Sequence, residues 1–262
     1  MKISTPREPR PGVTPAETVA EIAIFRGLAP EVITMLSRRC RWRHYGAGQT
    51  ILQRQDESRD VFFIVRGRVC ANYHSASGRE VRFTDLAAGD MFGEFAAIDG
   101  EPRSSDIVSV TDTVIASMSA GQFWEILRQH EGVCAAILRR LTQIARAHQQ
   151  RVVEFSTLPV RSRLHAELVR LARGSGSDKR AAVISPAPTH AEFASRISTH
   201  REAVTRELNE LARAKLIEKR GGVLVIRDIV ALARLLEDAV EEPCRGIHWH
   251  NGSGSFASRP DS

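Results

Sequence analysis

Between Trp42 and Met118 the chain is cut by glycine and aspartate turns into short segments rich in β-branched and aromatic residues. Thr50–Leu52, Val61–Val65, Arg68–Tyr73, Glu80–Asp85, Ile107–Val110 and Thr113–Met118 are each too short for an ordinary globular helix. Turn signals at Gly46/Gly48, Arg66-Gly67, Ser77-Gly78 and Gly89-Asp90 separate them. Many short strands at this spacing close most readily into an antiparallel barrel or roll. The punctuation then stops. From Ser119 to Ser156 there is no proline and, beyond the first turn, one glycine, Gly132, so a long helix is expected.

On that helix Ile137, Leu141, Ile144, His148, Arg151 and Phe155 recur at heptad spacing. The spacing reads as a seam facing a second copy, or as an amphipathic helix lying on its own roll. Upstream, Ile24, Leu28, Val32, Met35 and Leu36 predict short helices broken around Gly27 and Pro30. Downstream, Val160 to Arg173 is helical, with Leu164, Leu168 and Leu171 on one stripe. A loop over Gly174 to Asp178, a brief strand at Val183-Ile184 and a hairpin from Lys219 to Arg227 around Gly221-Gly222 follow. Asp228 caps a last helix from Ile229 to Val240.

Charge divides the chain unevenly. The net charge of +6 equals that of residues 160–220 alone, where 13 Lys/Arg face 7 Asp/Glu. A basic C-terminal third fits a nucleic-acid partner, or else a solvated basic face. Cys40, Cys70, Cys134 and Cys244 are scattered, with no pair at metal-binding spacing, and are read as free thiols. No apolar run is long enough to span a membrane, so no membrane partner is expected. Met1 to Pro15, with four prolines and several charges, lacks the apolar core of a secretory signal. It is read as a disordered leader on a cytoplasmic protein.

Two segments carry chemistry. The first is Phe92-Gly93-Glu94-Phe95-Ala96-Ala97-Ile98, followed by Pro102-Arg103-Ser104-Ser105. Gly93 permits close backbone approach. Glu94 can accept a hydroxyl hydrogen. Phe95 to Ile98 suits one helical turn with free N–H groups. Arg103 offers a planar fork to an anion and Ser104 one more donor. The second segment runs from Thr189 to Ile217. Thr189 and Glu192 read as a capping box, Phe193, Ala194 and Ile197 as an apolar helix face, and Ser198-Thr199-His200 as a turn. A second helix starts near Arg201, with Val204, Leu208 and Leu211 inward. Arg201, Glu202, Thr205 and Arg206 are left outward, or else simply form Arg/Glu pairs on a structural helix.

The first segment resembles the phosphate-binding cassette of cyclic-nucleotide-binding domains. Gly48-x-x-Ile51 and Asp60-Val61-Phe62-Phe63-Ile64-Val65-x-Gly67 resemble the same domain's β-roll. The second segment resembles the DNA-binding domain of the cyclic-AMP receptor protein and fumarate–nitrate regulator (Crp/Fnr) family, whose member CAP is a standard docking example. The likeness covers about residues 21–235. It implies that Gly93, Glu94, Phe95, Arg103 and Ser104 hold the ribose phosphate. It implies that Thr189, His200, Arg201, Glu202, Thr205 and Arg206 contact double-stranded DNA, with a TGTGA-like inverted repeat as target. The implied effector is cyclic AMP or cyclic GMP, with no metal. The implied partners are a second copy of the chain, DNA and RNA polymerase. His148 and Gln149 stand where relatives place paired hydroxyls against the purine. Gln55 replaces a common turn glycine, and Ser105-Asp106 departs from the family pattern.

The expected fold is α+β. A disordered leader (1–20) precedes the β-roll (21–118), a long dimerisation helix (119–157), a winged helix-turn-helix (158–240) and a disordered tail (241–262). Two other functions compete. One keeps the DNA binding and makes redox, haem or another effector the trigger. However, no cysteine precedes Cys40, and although His74, Cys70 or His44 could serve as haem ligands, the intact Gly93-Glu94/Arg103 pattern argues for a nucleotide. The other is an enzyme or the regulatory subunit of one. No nucleophile–base motif or Gly-rich ATP loop is present, and His248-Trp249-His250 lacks a third ligand.

Overall fold

The computed structural model describes residues 19–74, 80–174 and 180–240. The expected tail, the leader up to residue 18, the Ser77-Gly78 turn and the loop residues after Gly174 lie outside them. The described residues fall into two compact units. One runs to Val153 and includes Ala191–His200; the other comprises Glu154–His190 and Arg201 onward.

The first unit opens with a 3-10 turn at Ala23–Phe25 and helix α1 at Pro30–Arg39, which has proline in its first turn, where a missing N–H costs nothing. Eight strands follow: β1 Arg41–Tyr45, β2 Thr50–Leu52, β3 Val61–Arg66, β4 Arg68–His74, β5 Glu80–Ala87, β6 Met91–Phe92, β7 Asp106–Ser109 and β8 Thr113–Met118. They form two antiparallel four-stranded sheets, ordered β1-β8-β3-β6 and β2-β7-β4-β5. Leu52, Ile64, Val69, Ile107 and Ile115, drawn from both sheets, make one buried cluster. A larger cluster joins Phe63, Met91 and Ala116 to the helices through Phe25, Leu36, Phe123 and Ile137. Val19, assigned to the disordered leader, is 1% exposed and belongs to that cluster, because its apolar side chain completes the packing with Ile22.

Helix α2 spans Glu94–Asp99, α3 Ala120–Gln129 and α4 Glu131–Thr157. The expected single helix from Ser119 is thus two. His130 is extended (φ −131°, ψ 94°); its N–H closes α3 on Ile126, and its carbonyl accepts from Val133 and Cys134. Of the two readings of the heptad face, its first half follows the one that lies on the roll. Ile137 is buried and Leu141 packs beside it on the roll's own core. The outward large apolar residues of α4 are Leu138 (60% exposed), Val152 (63%), Val153 (38%) and Phe155 (37%); Leu138 and Val152 lie on a stripe one residue further along, and Phe155 on the expected one.

In the second unit α5 spans Val160–Gly174, β9 Ala182–Ile184, β10 Ile217–Arg220, β11 Val223–Ile226 and α8 Ile229–Val240. The sheet order is β10-β11-β9, and Gly221 and Gly222 take positive φ (51° and 84°) at the hairpin turn. Asp228 Oδ1 accepts from the Ala231 amide at 2.9 Å, the expected cap. Helix α6 covers His190–Arg196 and from Ala191 on belongs to the first unit; α7 covers Arg201–Arg213, with Val204, Leu208 and Leu211 buried, as their spacing predicts.

Candidate functional site

The cassette is built around one buried cation. Arg103 is 3% exposed. Its Nη1 donates to the Gly93 carbonyl at 2.8 Å, its Nη2 to the Asp60 carbonyl at 2.7 Å and its Nε to Ser58 Oγ at 3.2 Å. None of these acceptors is a carboxylate. Burial is the largest influence on the guanidinium and pulls its pKa down, despite Asp60, Asp56 and Glu94 acting the other way. Phe62 lies under it at 5.5 Å and is stacked on Phe92 with centroids 5.0 Å apart. A cation held in this way gains from an added anion more than an exposed one does.

Gly93 makes the arrangement possible. It sits at φ +82°, and a Cβ there would stand 2.7 Å from Arg103 Nη1 and 2.9 Å from the Asp60 carbonyl. Glu94 opens α2 with a buried side chain; its Oε1 receives Arg140 Nε at 3.2 Å, and Arg140 Nη2 donates to the Met91 carbonyl at 2.6 Å. Arg140 escaped sequence reading because its partner lies 46 residues away. Phe95 and Ser104 are exposed. The chain before Arg103 is held by paired backbone bonds, Gln55 N–H to the Arg103 carbonyl and Arg103 N–H to the Asp56 carbonyl, both 2.9 Å. Gln55 takes φ +71°, so it occupies the left-handed turn position that glycine would hold without strain. Asp106 Oδ1 accepts the Arg54 amide at 2.8 Å. His148 and Gln149 are exposed, and Phe83, another residue absent from the sequence reading, meets the His148 ring edge-on at 6.5 Å.

The second constellation lies on α7. Arg201, Glu202, Thr205, Arg206 and the previously unremarked Asn209 line one shallow groove. The i, i+4 and i+8 spacing of Arg201, Thr205 and Asn209 puts them on one face. The Thr205 hydroxyl is already engaged, donating to the Arg201 carbonyl at 2.9 Å and lying 2.7 Å from His190 Nδ1. In the turn, Ser198 takes φ +55° and the Thr199 amide bonds the Ala194 carbonyl at 3.0 Å. Thr189 and His200 are exposed.

A cyclic nucleotide-binding domain model matches residues 42–130, and a Crp-like helix-turn-helix domain model matches residues 162–235. The chain belongs to the Crp/Fnr family of transcriptional regulators. This Crp/Fnr regulator is 25% identical over 219 residues to the CRP-like cAMP-activated global transcriptional regulator of Mycobacterium tuberculosis, covering 83% of this chain and 98% of that one. It is 26% identical over 216 residues to the cyclic AMP receptor protein of Thermus thermophilus, covering 82% and 95%. A CooA mutant from Carboxydothermus hydrogenoformans has the same fold, with a TM-score of 0.67 at 19% identity over 78% of this chain and 90% of that one. The regulator therefore pairs a cyclic nucleotide-binding domain with a DNA-binding one. Among the described residues no helix is long and apolar enough to cross a membrane, and no cluster of His, Cys, Asp or Glu could hold a metal. Burial pushes the Cys40 thiol up to about 11, so that sulfur is a poor thiolate at neutral pH.

Proposed function

We propose that a cyclic purine nucleotide, cyclic AMP or cyclic GMP, binds the roll and switches a homodimer onto a TGTGA-like inverted repeat in duplex DNA. The observation that carries the reading is Arg103, a buried guanidinium whose hydrogen bonds go to carbonyls and a hydroxyl rather than a carboxylate. A cyclic phosphate supplies a charged acceptor at the fork itself, and Ser104 adds a hydroxyl donor. Glu94 accepts from the ribose hydroxyl while Arg140 holds its other side. The base lies against the Phe83 and His148 rings, with Gln149 beside it.

Reading of the DNA falls to Arg201, Glu202 and Arg206, since an arginine fork matches guanine O6 and N7 and a glutamate accepts from cytosine N4. Thr189 and His200 contact the backbone. An inverted repeat requires two-fold symmetry, and the outward stripe Leu138, Thr142, Ala145, Gln149 and Val152 is uncharged and keeps heptad spacing. The nucleotide switches the protein only to the degree that it binds the DNA-competent state more tightly. Bound DNA then presents or withholds the promoter from RNA polymerase.

Calorimetric titration with cyclic AMP and cyclic GMP tests the first half. Saturable binding to the wild type and at least about tenfold weaker binding to Arg103→Lys are expected, because lysine keeps the charge and loses the fork. Equal affinities for the two proteins contradict the phosphate role.

A further inference from the structure

His190 opens α6 half-buried, with Nδ1 2.7 Å from Thr205 Oγ1. The Thr205 hydroxyl donates its one hydrogen to the Arg201 carbonyl at 2.9 Å, so toward His190 it can only accept. Nδ1 is therefore the donor in either charge state, and the ring titrates at Nε2. Two other cations act on this ring from two other elements, Lys219 on β10 and Arg201 on α7. On its own helix the nearest charge in sequence is Glu192. Two cations beside one titratable ring disfavour its protonation, and a single anion placed among the three groups relieves that repulsion.

We propose that His190 and Lys219 hold one backbone phosphate of the DNA beside the base-reading helix, His190 donating from Nε2 as the imidazolium while Thr205 fixes the ring. This rests on the DNA-binding reading above and adds to it a subsite and a proton. In the free protein burial first, then Lys219 and Arg201, press the His190 pKa below the usual histidine value. A phosphate at Nε2 acts the opposite way. The complex then binds a proton that the free protein lacks, and affinity falls as pH rises through the window between the two pKa values. A backbone contact carries no sequence information, so the effect is the same on any duplex.

The test measures affinity by fluorescence anisotropy for an inverted-repeat and a scrambled duplex, at fixed ionic strength, from about pH 5.5 to about pH 8.5, across the histidine range. Wild-type protein tightens on both duplexes as pH falls, by up to roughly tenfold for each pKa unit separating free and bound His190. His190→Gln weakens both at low pH and flattens the slope. His190→Lys restores affinity with a slope flatter than wild type, because its charge is permanent in this range. A His190→Gln protein that keeps the wild-type slope, or that loses affinity for the inverted repeat alone, overturns the subsite while leaving DNA binding intact. A wild-type protein that ignores both duplexes at every pH overturns the DNA-binding reading and the subsite with it.

Discussion

Gly93 and Arg103 are packed so closely that the smallest side chain does not fit between them. A Cβ on Gly93 would lie 2.7 Å from Arg103 Nη1, with the Asp60 carbonyl on its other side at 2.9 Å. The strand-to-helix turn at φ +82° and the guanidinium fork are thus one structural feature. Gly93→Ala meets both the left-handed strain and the collision. We expect it to cost about 1–3 kcal/mol, read as a lower midpoint in thermal unfolding. Because the clash displaces Arg103, nucleotide affinity in calorimetry falls further than stability does. Unchanged affinity in the folded variant contradicts the placement of the phosphate at that fork.

The second unit carries a buried pair with its own pH dependence. His165 Nε2 lies 2.7 Å from Glu207 Oε1, and both side chains are almost fully enclosed. Burial outweighs the attraction of Glu207 and holds the histidine pKa below its usual value. The unfolded chain therefore takes up the proton first, at about 6.5. Stability is complete above that value and declines as pH falls from it toward the lower folded pKa. His165→Gln keeps a donor for Glu207 and removes the titration. Denaturant midpoints between about pH 7.5 and about pH 5 should fall less in the variant than in the wild type; equal declines contradict the assignment.

Arg206 is exposed on α7 and lines the same groove as Arg201 and Asn209. Arg206→Ala should weaken binding to the inverted repeat by about 1–3 kcal/mol, which is roughly 5- to 150-fold. Scrambled duplex should lose much less, and competition binding separates the two. Equal losses on both sequences would make Arg206 a phosphate contact only.

The heptad spacing on α4 left two readings open, a seam facing a second copy or a face lying on the roll, and its first half takes the second. Sequence periodicity cannot tell a stripe that packs on its own roll from one that faces a second copy, since both are apolar. Ile137 and Leu141 went to the roll's core, and Leu138 and Val152 were left outward. Val152→Asp should therefore shift sedimentation toward the monomer, while the roll unfolds at the wild-type temperature. An unchanged dimer would place the contact elsewhere.

The cassette was legible because its parts are local. Gly93, Glu94 and Arg103 lie within one short segment, and each has a chemical reason to be there. Gln55 at φ +71° was marked only by the family resemblance, which implies a glycine at that turn. What sequence could not reach depended on distant partners. Arg140 acquires its role from Glu94, and His190 from Thr205. Strand β1 was unnamed because Arg41, Trp42, Arg43, His44 and Tyr45 lack the aliphatic core of a buried strand, as an edge strand paired only to β8 can. Strand β6 has two residues and leaves no periodicity to detect. The break at His130 carries no proline, and the glycine beside it, Gly132, was read as an interior helical residue.

The central claim is that a nucleotide in the roll controls the helix that reads DNA. Its most direct test is the affinity of the purified protein for an inverted-repeat duplex and for a scrambled one, each with and without saturating cyclic AMP or cyclic GMP. The account predicts that one of the nucleotides tightens binding to the inverted repeat by roughly 5- to 150-fold, the usual span of allosteric coupling, with little change on scrambled DNA. Identical affinities in the presence and absence of both nucleotides would contradict it.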